Sequence, residues 1–256
     1  MAADLERRRL DGKVALITGA TSGIGRATAL GLARLGVRVV VAGRDRERGD
    51  AVVHDIAGSG GEAVFVQGDV TRAPDIGRMV DAALERFGRL DIAFNNAGYQ
   101  EPRQLLAEQP PEVYDAVFDG NVRSVFLAMQ AEIRAMLMQG GGVIINNASV
   151  SGVRNPYPGL SLYCASKAAV ISMTRSAALE YAASGIRINA VSPGRVITPM
   201  MLGSKVADME AVAAGLPIKR MGQPEEVAAA VVWLASEEAS FVVGHNLAVD
   251  GGFLSQ

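Results

Sequence analysis

Short apolar runs rich in β-branched residues recur along the chain, separated by longer Ala-rich stretches. The runs read as strands: KVALIT (13–18), VRVVVA (37–42), AVFVQ (63–67), DIAFN (91–95), GVIINN (142–147), IRINAV (186–191) and NLAVD (246–250). Most are continuously apolar rather than alternating, as expected for strands covered on both faces. Between them lie helix candidates at 23–35, 45–58, 74–87, 111–139, 161–183 and 224–235. Strand and helix alternating this often predict a seven-stranded parallel sheet with right-handed crossovers and helices on both faces. One α/β, doubly wound domain over 1–256 accounts for the pattern. The stretch 194–223 breaks it, being long, weakly periodic and rich in Met, Gly and Pro, and reads as a substrate-binding loop. The alternative for that stretch is a small structural helical insertion.

Composition narrows the classes. A length of 256 residues with 49% apolar and 20% charged side chains provides a globular core. The formal charge of −2 gives no electrostatic reason to expect nucleic acid. The basic run at 6–9 reads as a solvated terminus. Cys164 is the only cysteine, which excludes an intrachain disulfide and a structural zinc cluster. The first twelve residues lack the apolar core of a signal peptide, and no run reaches the ~18 apolar residues of a spanning helix. A cytoplasmic protein without a membrane partner is expected.

Chemistry enters with LITGATSGIGRAT, which follows the first strand and opens the first helix. Gly19, Gly23 and Gly25 allow a tight turn, close backbone approach to a pyrophosphate, and helix–sheet packing. The helix N-terminus adds free N–H groups and the positive end of its dipole. This is the phosphate-binding turn of a Rossmann-type fold. At the end of the second strand, where NAD sites usually carry an acid, stand Gly43 and Arg44. A guanidinium there suits a 2′-phosphate, so NADP(H) is favoured over NAD(H), although Asp45 follows directly. SLYCASKAAV (161–170) puts Tyr163 four residues before Lys167 on one helix face.

Taken together, TGATSGIG, GDV (68–70), NNAG (95–98), NASVSG (147–152), YCASK (163–167), PGRVIT (193–198) and VDGG (249–252) resemble the short-chain dehydrogenase/reductase family, from about Leu10 to Gly252. The resemblance implies an NAD(P)(H)-dependent oxidoreductase acting on a ketone or secondary alcohol. Tyr163 would be the general acid/base, Lys167 would hold the nicotinamide ribose and favour the phenolate, and Ser149 would bind the substrate oxygen. Asn121, in DGNVRSVF, would support a water-linked proton path to Lys167. The implied cofactor cleft takes Thr21, Ser22 and Ile24 with the three glycines, and Arg44. It adds Asp69 on the adenine with Val70, then Asn95 on the adenosine side with Ala97 and Gly98. Pro193 and Gly194 complete it, with Val196 and Thr198 at the nicotinamide end. No metal is implied, and His54 and His245 are left as ordinary residues. A free phenol titrates near ~10, and the ammonium and oxidised nicotinamide are expected to lower it.

Two departures stand out. Thirteen residues separate Ser149 from Tyr163, one more than is commonest in relatives, and Ser151 lies two positions nearer. Alignment through NASVSG favours Ser149. Gly120 precedes Asn121 inside a helix-like stretch and is expected to loosen it. The substrate side is read from neighbouring positions: Tyr99, Gln100, Ser151, Tyr157, Met200, Met201 and Leu202, an apolar and adaptable lining for a small-molecule carbonyl or alcohol. A non-catalytic nucleotide-binding relative is the other reading, although it would be expected to have lost a catalytic residue. Finally, 111–139 and 161–183 are apolar around much of their circumference, which predicts a partner surface; the resemblance implies a homotetramer, with a dimer next, the alternative being a monomer whose apolar surface packs under its own 194–223 loop.

Overall fold

The computed structural model describes residues 10–155, 158–204 and 208–256. The strands are β1 Val14–Thr18, β2 Arg38–Gly43, β3 Ala63–Gln67, β4 Ile92–Asn95, β5 Gly142–Asn147, β6 Ile186–Pro193 and β7 Asn246–Val249. The helices are α1 Gly23–Ala33, α2 Arg46–Gly58, α3 Ala73–Phe87, α4 Pro111–Phe118, α5 Ser124–Gln139, α6 Ser161–Tyr181, α7 Pro199–Gly203, α8 Met209–Ala214 and α9 Pro224–Ala235. The seven strands form one parallel sheet in the order β3-β2-β1-β4-β5-β6-β7.

Successive strand residues point to opposite faces, and the sequence fills both. Val14 and Leu16 of β1 join a core with Met79, Ala83 and Phe87 of α3, Met129 and Met136 of α5, and Val170 of α6. Ala15 and Ile17, one residue out of phase, join the other core with Leu32 of α1, Ile56 of α2, and Val231 and Leu234 of α9. This explains why the strands read as unbroken apolar runs. Each such Leu, Ile or Met contributes about 1.5–3 kcal/mol relative to exposure.

The chain winds one way from β1 through β3 and the other way from β4 onward. The loops at the carboxyl ends of β1 and β4 therefore diverge and leave a crevice between them. Everything discussed below lies along that edge.

Two expectations are modified. The predicted helix 111–139 contains a wide π turn at Asp119–Arg123, with buried Gly120 and Asn121 inside it. Stretch 194–223 is not structureless: α7 and α8 lie in it, and Val196 forms an isolated parallel bridge with Gly222. Among the described residues no helix is long and apolar enough to cross a membrane. The basic run at 6–9 and Tyr157 lie outside the described residues.

Candidate active site

The turn from β1 into α1 is built by close approach. Gly19 has φ +63° and Gly23 φ +51°, values that favour glycine. A Cβ on Gly19 would lie 3.0 Å from Ala97 Cα. The NNAG segment is laced to this turn: Thr18 Oγ1 accepts from the N–H groups of Asn96 and Ala97 at 3.0 and 3.1 Å, and Asn96 Nδ2 donates to the carbonyls of Thr18 and Gly19 at 3.0 and 3.1 Å. At the start of α1, Ser22 makes no side-chain cap, and the first turn holds no acid. A glycine cradle closed by backbone contacts, facing an uncapped helix N-terminus, fits a dinucleotide pyrophosphate. Thr21 and Ile24 are half-buried along the same turn.

At the end of β2, Gly43 lies against Thr21, whose Cγ2 would stand 2.6 Å from a Cβ there and would have to turn aside for any side chain. Arg44 follows with an exposed side chain, its Nη1 4.0 Å from Asp69 Oδ2. Asp69 Oδ1 accepts from the Thr71 N–H and hydroxyl at 3.0 and 2.9 Å, which fixes the 68–70 turn. Val70 packs on the core beside it. Asn95 departs from its expected place. Its side chain points into the core, where Nδ2 donates to Glu132 Oε2 and Asn146 Oδ1, both at 3.0 Å. Its amide braces β4 against α5 and β5 rather than lining the crevice.

Across the crevice, α6 carries Tyr163 and Lys167, both buried. Lys167 Nζ lies 5.7 Å from the Tyr163 ring centroid and donates to the Asn147 carbonyl at 2.7 Å. Ser149 hydrogen-bonds the Tyr163 phenol, and its Oγ accepts from the Ser151 N–H at 3.1 Å. The following turn, Val150–Gly152, lies against α6: a Cβ on Gly152 would be 2.7 Å from the Lys167 carbonyl carbon. Ser151 is buried in this turn, and the phenol's serine partner is Ser149. The π turn presents Asn121, whose Oδ1 accepts from Tyr99 N and whose Nδ2 donates to Tyr99 O, both at 2.7 Å. Gly98 is the fourth contact, since a Cβ there would lie 3.1 Å from Asn121 Oδ1 and 3.4 Å from Lys167 Nζ.

The electrostatics differ from the sequence expectation. Burial pushes the Tyr163 phenol up to about 12, and the hydrogen bond with Ser149 offsets this only in part. Burial also pulls Lys167 down to about 8. Proximity of the ammonium does not outweigh desolvation in the protein alone. The phenol is therefore held neutral, as a proton donor to a carbonyl oxygen must be.

Beyond β6, Pro193 is buried and Gly194 packs on Asp250, 2.7 Å from a Cβ position to the Asp250 Cα. Val196 is buried, and Thr198 caps α7 by accepting from Met201 N at 3.2 Å. The Thr198 methyl would touch a Cβ on Gly23 at 3.4 Å, so this loop closes over the glycine turn. Met200 and Leu202 are exposed, Met201 and Gln100 half-buried, and Tyr99 40% exposed although its backbone is pinned by Asn121. A cavity of about 670 Å³ opens elsewhere, among Asp11, Arg34, Arg38 and Glu62, and contains none of these residues.

Among the buried acids that the sequence reading does not single out, Glu132 and Glu101 are only 1% exposed. Glu132 carried a usable signal: it sits among Met129, Ile133 and Met136, on the inward face of an apolar helix. Glu101, in the loop after β4, carried none.

The family model described as Enoyl-(Acyl carrier protein) reductase matches residues 19–254. The chain is 43% identical to the cyclohexanol dehydrogenase of Acinetobacter sp. (strain SE19), covering 97% of both chains. It is 42% identical to the A-factor type gamma-butyrolactone 1'-reductase (1S-forming) of Streptomyces virginiae, covering 95% of this chain and 96% of that one. Among solved structures, a short-chain type dehydrogenase/reductase from Mycobacterium marinum superposes with a TM-score of 0.94 at 40% identity, covering 98% and 99%.

Proposed function

The chain belongs to the short-chain dehydrogenase/reductase family, and we propose that it reduces a ketone to a secondary alcohol with NADPH, or runs the reverse reaction, with Tyr163 as the general acid/base. Oxidoreduction between carbonyl and alcohol groups with NAD(P)(H) is the activity of such relatives. The observation that carries the finer reading is the buried Ser149–Tyr163–Lys167 arrangement on the crevice wall. The family model's description names enoyl reduction, but a Tyr–Lys separation of four residues, beside Ser149, suits polarising a carbonyl oxygen.

Nicotinamide, when bound, supplies or accepts the hydride. The chain's own work is to hold and move a proton. Ser149 and Tyr163 together receive the substrate oxygen, and the neutral phenol donates its proton as negative charge develops there. Lys167, anchored on the Asn147 carbonyl, stands beside the phenol to stabilise the phenolate left behind. In the alcohol direction the same phenolate is the base.

NADP(H) is favoured over NAD(H) because the end of β2 carries Gly43 in place of an acid, while the exposed Arg44 follows it. Cyclic substrates are the first to test, given the cyclohexanol-oxidising relative. A homotetramer is supported by the apolar side chains left exposed on one chain: Phe126, Leu137 and Met138 of α5, Leu179 of α6, and Phe241. The test is initial rates with cyclohexanone and cyclohexanol against all four nicotinamide forms. Preference for NADH over NADPH would overturn the cofactor reading, and turnover by Tyr163→Phe would overturn the acid/base reading.

A further inference from the structure

Helix α6 has no cap of its own. Leu160 stands at the N-cap position, offers no side-chain acceptor, and is followed by no acid in the first turn. The missing acceptor comes from 62 residues away: Glu101 Oε1 accepts from the backbone N–H of Tyr163 at 3.0 Å. The other side of the Tyr163 backbone is tied to the same loop. Its carbonyl accepts from Ser166 Oγ at 2.7 Å, Ser166 Oγ accepts from Asn121 Nδ2 at 3.0 Å, and Asn121 brackets the backbone of Tyr99. The segment 99–101 thus grips the tyrosine by both its peptide groups.

Glu101 is only 1% exposed, and its Oε2 is buried without a hydrogen-bond partner. An amide of the same shape would accept the same bond from Tyr163 without burying a charge. The helix dipole offsets part of that cost, but packing alone does not explain a carboxylate here. The groups it acts on are close by: its charge disfavours ionisation of the Tyr163 phenol and the Cys164 thiol, while Arg195, from the loop after β6, acts in the opposite sense on both.

We propose that Glu101 is a positioning residue for Tyr163: its buried side chain caps α6 from the loop after β4 and so holds the phenol at Ser149. This rests on the reading of Tyr163 as the acid/base.

Glu101→Gln and Glu101→Ala test this, with cyclohexanol oxidation as the probe reaction and hydrogen exchange at the Tyr163 amide as a readout independent of turnover. Gln keeps the acceptor, and should leave both amide exchange and kcat within about threefold of wild type. Ala removes the acceptor, and should lower kcat at least about tenfold with KM within about threefold, while the Tyr163 amide exchanges about tenfold faster or more. Glu101→Gln that loses kcat tenfold with amide exchange unchanged overturns the capping role, whether or not Glu101→Ala folds. Unchanged amide exchange and kcat in Glu101→Ala overturn it as well. The two readings fail separately: a Tyr163→Phe enzyme that still turns over removes the acid/base assignment, whereas an inactive Tyr163→Phe beside a silent Glu101→Ala removes this proposal alone.

Discussion

Replacing Glu132 by Gln should stabilise the protein at alkaline pH and leave it nearly unchanged at acid pH. Glu132 is 1% exposed, and its one hydrogen bond comes from Asn95 Nδ2 at 3.0 Å. Asn95 Nδ2 also donates to Asn146 Oδ1, and Asn146 Nδ2 donates to Thr174 Oγ1 at 2.9 Å, so a polar seam crosses the core from α5 through β4 and β5 to α6. Burial pushes Glu132 up to about 7 from 4.5, and the bond from Asn95 offsets only part of that. The folded pKa of this acid lies above the unfolded one. Between 4.5 and 7 the folded chain therefore keeps a proton that the unfolded chain has lost. Its stability is full below 4.5 and falls as pH rises through about 7, by about 3 kcal/mol in total at roughly 1.4 kcal/mol per pH unit.

Glutamine cannot titrate, and its amide can donate to Asn95 Oδ1, which is buried without a partner. Urea unfolding at pH 5, 6.5 and 8, at one protein concentration, measures the difference between the two proteins, so other titrating groups cancel. Equal stability within about 1 kcal/mol at pH 5, and a gain of about 2–3 kcal/mol for Gln at pH 8, is the expected outcome. Glu132→Met, which leaves one of the two Asn95 amide hydrogens unpaired, should instead lose about 1–3 kcal/mol at pH 5. A Gln-minus-wild-type difference that does not change with pH would refute the reasoning.

Tyr163→Phe should lower kcat by about 100- to 10,000-fold while leaving the melting temperature and cofactor binding near wild type; a variant keeping more than a tenth of wild-type kcat contradicts this. Ser149→Ala should reduce kcat strongly and Ser151→Ala mildly, because Ser149 holds the phenol and Ser151 contributes its backbone N–H to Ser149; the reverse order would reassign the role. Arg44→Ala should raise KM for NADPH far more than for NADH, by no more than about 3 kcal/mol, and equal effects on both would sink the 2′-phosphate reading. Light scattering at micromolar concentration should give four times the 26.8 kDa of one chain, and a monomer mass would show that the exposed apolar side chains of α5 and α6 need no partner.

What was legible in the sequence was whatever depends on local repetition. Val14 to Thr18 reads as a strand buried on both faces, because Val14 to Ile17 are all apolar and nothing breaks the run. The spacing of Tyr163 and Lys167 likewise follows from helical geometry, since four residues bring both heads to one side of α6. The π turn was not legible. It carries Asn121, which satisfies both backbone groups of Tyr99 through two bonds between residues 22 apart that no local pattern announces. The inward turn of Asn95 escaped for the same reason, since its partners Glu132 and Asn146 lie on other elements.

The acidity of the phenol in the protein alone escapes the sequence on physical grounds of another kind. Counting the nearby ammonium was correct, but the cost of burial could not be weighed before the site was known to be buried. That cost reaches beyond Tyr163. Burial raises the phenol and lowers Lys167 together, and the charges that reach the phenol from outside α6 act on the same balance, Arg195 lowering it and Glu101 raising it. For the proposed reaction, motif spacing within α6 therefore captures only the part of the proton chemistry that lies along the chain.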